Sequence, residues 1–230
     1  ADRMHIYLLN SGQRLLKAMD PVSSARAERD LKKKGVHVRN GWRVTGYKDN
    51  VVSVGNGETI ESATVIWVSG IKANVIGGVP EEAVGHSGRL LTDRFNRVKG
   101  MDDVFAIGDQ CLVEGDPDWP LGHPQLAQVA MQQADNVARN LIRKERGEEM
   151  VPFTYKDLGR MATIGRKRAV AEIGRAKFGG LSAWMLWLVV HLRSILGVKN
   201  KFIVLLNWMW NYFNYKQSLR LILRPRQRPL

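Results

Sequence analysis

The chain has 230 residues, enough to bury a sizeable core as one large domain or two small ones. Its single cysteine, Cys111, excludes an internal disulfide and a two-cysteine redox pair, and the five histidines show no metal-ligand spacing, so no metal is expected. The net charge of +13 lies at one end: residues 1–150 carry 20 Lys/Arg against 20 Asp/Glu and residues 151–230 carry 15 against 2, which points that end toward an anionic surface, lipid or nucleic acid.

Residues 4–9 read as a short apolar strand. Asp20-Pro21 supplies an N-cap and a first-turn proline for a helix through Lys34, where three lysines suit the negative dipole end and Gly35 is the stop. Residues 36–44 and 51–54 read as strands, and Asn56-Gly57 is a hairpin turn leading into Thr59-Ile60. The apolar run 65–68 is expected to be a buried strand ending at Ser69-Gly70.

Residues 88–92 are the next expected strand, Asp102-Asp103 a turn, and residues 104–107 a buried strand that stops at Gly108-Asp109. Glycine there lets the backbone approach a ligand where a Cβ would clash, and the strand-end carboxylate is placed to accept a hydrogen bond from a ligand hydroxyl. Such a turn also occurs as plain α/β architecture. Cys111 reads as a buried filler, and residues 114–124, rich in Gly, Pro and Asp, as a loop in which His123 is given no role.

A helix follows, with Pro124 near its first turn and Ala127, Ala130, Ala134, Val137 and Leu141 forming a face of small side chains. Its N-terminal N–H groups could face an electron-rich ring and stabilise an anion there. It could equally be a core helix whose Gln128 and Gln132 face solvent.

Beyond residue 150 the composition changes. Residues 181–196 are apolar over 16 positions, about 24 Å as a helix, but include His191 and Arg193. Residues 201–223 are interrupted by Asn207, Asn211, Asn214, Lys216, Gln217 and Arg220. Trp184, Trp187, Trp208, Trp210 and Tyr212 crowd these segments, and basic residues such as Lys199, Lys201, Arg224 and Arg226 flank them. Amphipathic helices lying in the headgroup region fit better than a transmembrane hairpin. A dimerisation surface is the alternative, and one face could pack on a partner while the other meets lipid. Nucleic-acid binding fits less well, because apolar aromatics interleave the charges.

Residues 104–109 and 122–133, together with Val65-Ile66-Trp67-Val68-Ser69-Gly70-Ile71, Gly159-Arg160-Met161-Ala162-Thr163-Ile164-Gly165-Arg166 and the aromatic tail, make the chain resemble type II NADH dehydrogenases. These are single-subunit NADH:quinone oxidoreductases of respiratory membranes. The resemblance implies an α/β fold, a partial two-dinucleotide-binding-domain (FAD/NAD-linked reductase) architecture with an amphipathic membrane-surface helical region at its carboxyl end. Residues 1–71 would be the second half of an NADH-binding domain, 72–150 the carboxyl-terminal part of an FAD-binding domain, and 151–230 a membrane-association or dimerisation region.

By the same resemblance Gly108, Asp109, Ala127 and Gln128 would bind FAD, Gly70 and Ile71 would lie near nicotinamide and flavin, and Gln128, Gln132 and Ile164 would line the quinone path. In dinucleotide-binding folds a strand-end acid grips the adenosine ribose. Asn10 stands at that place, which weakens the preference for NADH over NADPH. The cofactors would be FAD and NAD. The partners would be a quinone, an anionic membrane surface on the cytoplasmic face and a second copy in a homodimer, without nucleic acid. The two GxGxxG fingerprints of the family are absent, so the chain reads as the carboxyl-terminal part of a longer enzyme and is expected to be inactive alone. The competing function is a non-catalytic membrane-binding or dimerisation module.

Overall fold

The structure, a computed structural model, describes residues 4–74, 76–195 and 197–213, with side chains described to residue 210 in the last helix. In chain order the elements are β1 (Ile6–Asn10), α1 (Pro21–Lys32), β2 (Val36–Asn40), β3 (Val44–Lys48), β4 (Val51–Val54), β5 (Thr59–Glu61), β6 (Leu90–Thr92), β7 (Cys111–Val113), α2 (Ala127–Glu145), β8 (Arg160–Gly165), β9 (Arg168–Ile173), β10 (Ala176–Gly180), α3 (Leu181–Ser194) and α4 (Val198–Phe213). They form two compact units, the described parts of residues 1–63 with 159–230, and residues 64–158.

In the first unit β1 and β2 are parallel, from Ile6 beside Val36 to Asn10 beside Asn40, and α1 is the crossover that a parallel pair requires. The local signals for α1 act as expected. Asp20 accepts the Val22 N–H at 2.9 Å, Pro21 opens the first turn, and Arg29 and Lys32 sit in the last. Lys177 pairs with Asp20 at 2.6 Å and, with the Val22 N–H, holds the carboxyl below its usual range.

The expected strand over 36–44 is instead broken into β2 and β3. Gly41 adopts φ +77°, and its N–H bonds to Gly12 O at 2.9 Å, so the chain turns there rather than continuing. β3, β4 and β5 form an antiparallel sheet; Gly57 (φ +89°) makes the anticipated β4–β5 turn, while the Asp49-Asn50 turn between β3 and β4 was not anticipated.

β8, β9 and β10 form a second antiparallel sheet, also unassigned from sequence. Its centre follows the two-residue period of a strand: Val170 packs with Met19 and Ala27 on one face, and Ala169 and Ala171 with Ala183 of α3 on the other. α3 ends at Ile195, which is extended, and the Trp187 and Trp208 rings lie 5.8 Å apart across α3 and α4. Among the described residues no helix is long and apolar enough to cross a membrane.

The second unit holds β6 and β7, parallel from Leu90 beside Cys111 to Thr92 beside Val113, and α2. Ala83, Leu90, Val98, Ala106, Cys111 and Val113 form its core. Two expected strands here need correction. Residues 65–68 form no strand and are exposed, Ile66 by 80% and Val68 by 82%. A continuous apolar run suits a strand covered on both faces, and among the described residues no strand pairs with this one. Residues 104–107 are extended but pair with residues 96–98 through a single antiparallel bridge, Arg97 to Phe105, and only Ala106 of the four is buried. Asn96, at φ +64°, turns the chain back there, with the Asp93 carboxylate accepting the Phe95 and Arg97 N–H groups at 2.8 and 3.0 Å.

Candidate functional site

The Gly108-Asp109 turn is built against α2. Gly108 has φ +64°, and a Cβ on it would lie 3.0 Å from Ala130 Cβ, so glycine is required both by its backbone angle and by the close approach. Its N–H donates to Gln133 Oε1 at 2.6 Å, and Gln133 is 1% exposed. Nothing in the sequence marked Gln133, because an amide on a helix reads as solvent-facing. The buried stripe of α2 is Val129, Gln133 and Asn140, so the helix is rotated from the small-residue face expected from Ala127, Ala130, Ala134, Val137 and Leu141. Ala127, Ala134 and Leu141 are exposed.

Asp109 follows Gly108 with its side chain exposed, while its backbone oxygen accepts from Gln125 Nε2 at 3.1 Å. That bond ties the turn to the loop leading into α2. The N-cap of α2 is Leu126, which makes no side-chain cap, so the first-turn N–H groups have no side-chain acceptor at the cap. Pro124 stands two residues before this cap, near the first turn.

Gln128 and Gln132, one turn apart on α2, both hold backbone of residues 156–158. Gln132 donates to Lys156 O and accepts from Lys156 N, each at 3.0 Å, and Gln128 Oε1 accepts from Leu158 N at 3.2 Å. Gly70 (φ +96°) and Ile71 are exposed in irregular chain. Asn74, three residues beyond Ile71, accepts from Gln110 Nε2 at 2.8 Å, so this segment is moored at the Gly108–Gln110 turn.

Beneath the loop is a buried pair that sequence reasoning set aside. His123 Nε2 lies 3.2 Å from Asp116 Oδ2, and the ring is packed against Phe153, Tyr155 and Trp119 with centroids 5.1, 5.8 and 5.9 Å away. Burial lowers the His123 pKa from its usual 6.5, Asp116 opposing and the Arg89 and Arg94 charges assisting. The Arg89 guanidinium joins the carbonyls of Cys111 and His123, fixing β7 to the loop. Cys111 is buried as expected, and burial raises its thiol pKa, which leaves it a poor nucleophile. An open cleft of about 640 Å³ lined by Arg94, Phe95, Arg97, Met101 and Glu114 contains none of the expected site residues.

In the first unit Asn10 closes β1 and bonds to Gly12 and Asn40. Ile164, on β8, is half-buried against the cluster of Met19, Ala27 and Val170. Gly159, which opens its motif, has φ +105°, and a Cβ there would meet Glu172 O at 2.2 Å. Trp184 packs on the Ala169–Ala171–Ala183 cluster, Trp187 stacks on His191 at 4.1 Å, and Trp208 is half-buried while Trp210 is 66% exposed. Tyr212 lies on α4 beyond the described side chains, and Arg224 and Arg226 lie outside the described residues. No group of three or more potential metal ligands is present among the described residues.

Residues 2–134 match the family described as pyridine nucleotide-disulphide oxidoreductase, and residues 158–215 match the NDH2 C-terminal domain. The type II NADH:quinone oxidoreductase Ndh of Mycobacterium tuberculosis is 33% identical over 94% of this chain and 48% of its own length. Its relative NdhA from the same organism is 32% identical over 88% of this chain and 44% of its own. The chain thus spans about half the length of these curated relatives. The fold is similar to that of Plasmodium falciparum NDH2 solved with NADH, with a TM-score of 0.77 at 16% identity over 93% of this chain and 60% of that one. A match to the oxidoreductase family over more than half the chain, joined to the NDH2 domain, shows that the chain belongs to the pyridine nucleotide-disulphide oxidoreductases and is a type II NADH dehydrogenase portion.

Proposed function

We propose that this chain is part of a peripheral membrane flavoenzyme that passes electrons from NADH through FAD to a quinone. The observation that carries this reading is the Gly108-Asp109 turn held against α2 by Ala130 and Gln133, with an exposed carboxylate beside an uncapped helix start. A cradle that excludes a Cβ, an exposed carboxylate for sugar-like hydroxyls and a helix start without a side-chain cap fit FAD by chemistry. FAD, when bound, supplies the electron relay between the dinucleotide and the quinone.

The chain's own residues have binding and positioning roles in this reading. Asp109 accepts hydrogen bonds from ribityl hydroxyls, and Gly108, Ala127 and Gln128 line the approach to the flavin. The start of α2 presents N–H groups where negative charge develops. Gln132 and Gln128 hold residues 156–158 as a wall of the quinone path. An amide cannot release a proton, so these glutamines orient and do not protonate. Gly70 and Ile71 lie near the nicotinamide.

We assign residues 1–71 to a nucleotide-binding domain, 72–150 to a flavin-binding domain and 151–230 to membrane association and homodimer contact. The exposed apolar side chains of α3 and α4, Met185, Val189, Phe202, Leu206 and Trp210 among them, support the last of these.

Asp109→Ala in the full-length protein tests the reading. Loss of a charge-assisted hydrogen bond worth ~1.5–3 kcal/mol should weaken FAD retention by roughly tenfold to a hundredfold. Unchanged flavin absorbance per mole of purified variant would refute the assignment.

A further inference from the structure

Residues 65–74 follow an irregular, exposed course on which no strand pairs among the described residues. The hydrogen bonds that hold this stretch to other described residues lie at its far end. Ala73 donates its N–H to Ser87 O at 3.0 Å, and Asn74 O accepts from Gln110 Nε2 at 2.8 Å. The first contact is a close approach of backbone, since Gly88 has φ +75° and a Cβ on it would stand 3.0 Å from Ala73 O. The second depends on a single side chain.

The turn that carries Gln110 is itself fixed. Gly108 donates its N–H to Gln133 Oε1, Asp109 O accepts from Gln125 Nε2, and Cys111, the next residue, donates its N–H to Gly108 O and stands beside Leu90 in the β6–β7 pair. Gln110 therefore passes the position of that turn on to Asn74. Ile71 stands three residues before Asn74, and such a stretch of chain reaches at most about 11 Å. The bond thus limits where Gly70 and Ile71 can lie relative to Gly108 and Asp109, all within one compact unit.

We propose that Gln110 is a positioning residue: its amide ties the chain bearing Gly70 and Ile71 to the flavin-binding turn and so keeps the nicotinamide side of the site in register with the flavin side. The proposal rests on the function above and adds a residue to it. Gln110 acts through the backbone of Asn74, so the bond requires an N–H donor at 110 and no particular side chain at 74. A hydrogen bond open to water adds little to global stability, but it sets how readily a segment with few other attachments opens. Its loss should loosen residues 70–74 and leave the unit folded.

The test uses the full-length flavin-loaded protein with two variants: Gln110→Met, which keeps the side-chain length without an N–H donor, and Gln110→Lys, which keeps a donor. In Gln110→Met, amide exchange at Ala73 and its neighbours should quicken by about threefold to tenfold with α2 unchanged, and the limiting rate of flavin reduction by NADH in stopped flow should fall by a similar factor. Flavin content and reoxidation by a soluble quinone should match the parent. Gln110→Lys should restore both exchange and rate. Parent-like exchange in Gln110→Met, faster exchange with an unchanged limiting rate, or a Gln110→Lys protein as loose as Gln110→Met would overturn the inference and leave the function standing. Loss of flavin from Gln110→Met would do the same, by assigning Gln110 to cofactor retention. A parent protein whose flavin NADH does not reduce would overturn the function instead, and faster exchange at Ala73 in Gln110→Met would still establish the anchor.

Discussion

Gly108 meets two demands at once, a left-handed backbone and a neighbour 3.0 Å from where its Cβ would stand. Gly108→Ala should therefore lower the stability of the chain by about 1–2 kcal/mol, read as a lower urea midpoint, and a wild-type midpoint would disprove the constraint. Gln133→Leu should cost about 1–3 kcal/mol, because it leaves the buried Gly108 N–H without its acceptor. The glycine was legible in the sequence as the end of an apolar run; its amide partner was not, since helical glutamines share one local signature whether buried or exposed. His123 carries a pH dependence. Its folded pKa is lowered from 6.5, first by burial, so the unfolded chain binds the proton more readily. Stability should be fully retained above pH 6.5 and fall as pH drops from there toward the depressed folded pKa. His123→Gln should flatten that part of a melting-temperature profile between pH 7.5 and the acid limb, roughly pH 5. A slope as steep as in the parent would assign the acid loss to other groups.

α2 organises its unit through polar groups on its buried stripe. Asn140 is 1% exposed, accepts the Val151 N–H and donates to Val151 O, each at 2.8 Å, and so attaches the chain that leads into buried Phe153 and Tyr155. Asn140→Leu should release that segment at a cost of about 1–3 kcal/mol, since two part-buried hydrogen bonds to Val151, each worth about 0.5–1.5 kcal/mol, go unmade. Faster amide exchange at residues 151–155, with α2 itself still protected, would be the signature; uniform protection across both would count against it. Element reading from sequence worked where the signals were local. α1 was fixed by Asp20, Pro21 and Gly35, and the β4–β5 hairpin by Asn56-Gly57. It failed where pairing decides: residues 36–44 split at Gly41, and residues 65–68 and 104–107 formed no regular strands.

The charge asymmetry and the exposed apolar side chains of α3 and α4 act at the scale of the whole molecule. Each basic residue near an anionic surface adds about 1 kcal/mol of attraction that salt screens. Flotation with vesicles should therefore show binding that rises with anionic lipid, falls with salt, and is lost when residues 181–230 are removed. Equal binding to neutral vesicles would discount the electrostatic part. Composition determined that the basic excess lies beyond residue 150, that an internal disulfide is impossible, and that Gly108-Asp109 is followed by a glutamine-bearing helix. These are properties of residue type and short spacing, and they need no partner. Tertiary structure alone decided which face of α2 is buried, that Gln128 and Gln132 grip residues 156–158, and that Asn10 spends its amide on Gly12 and Asn40. The physical reason is that a polar side chain goes where a long-range hydrogen-bond partner waits, and that partner lies outside any sequence window.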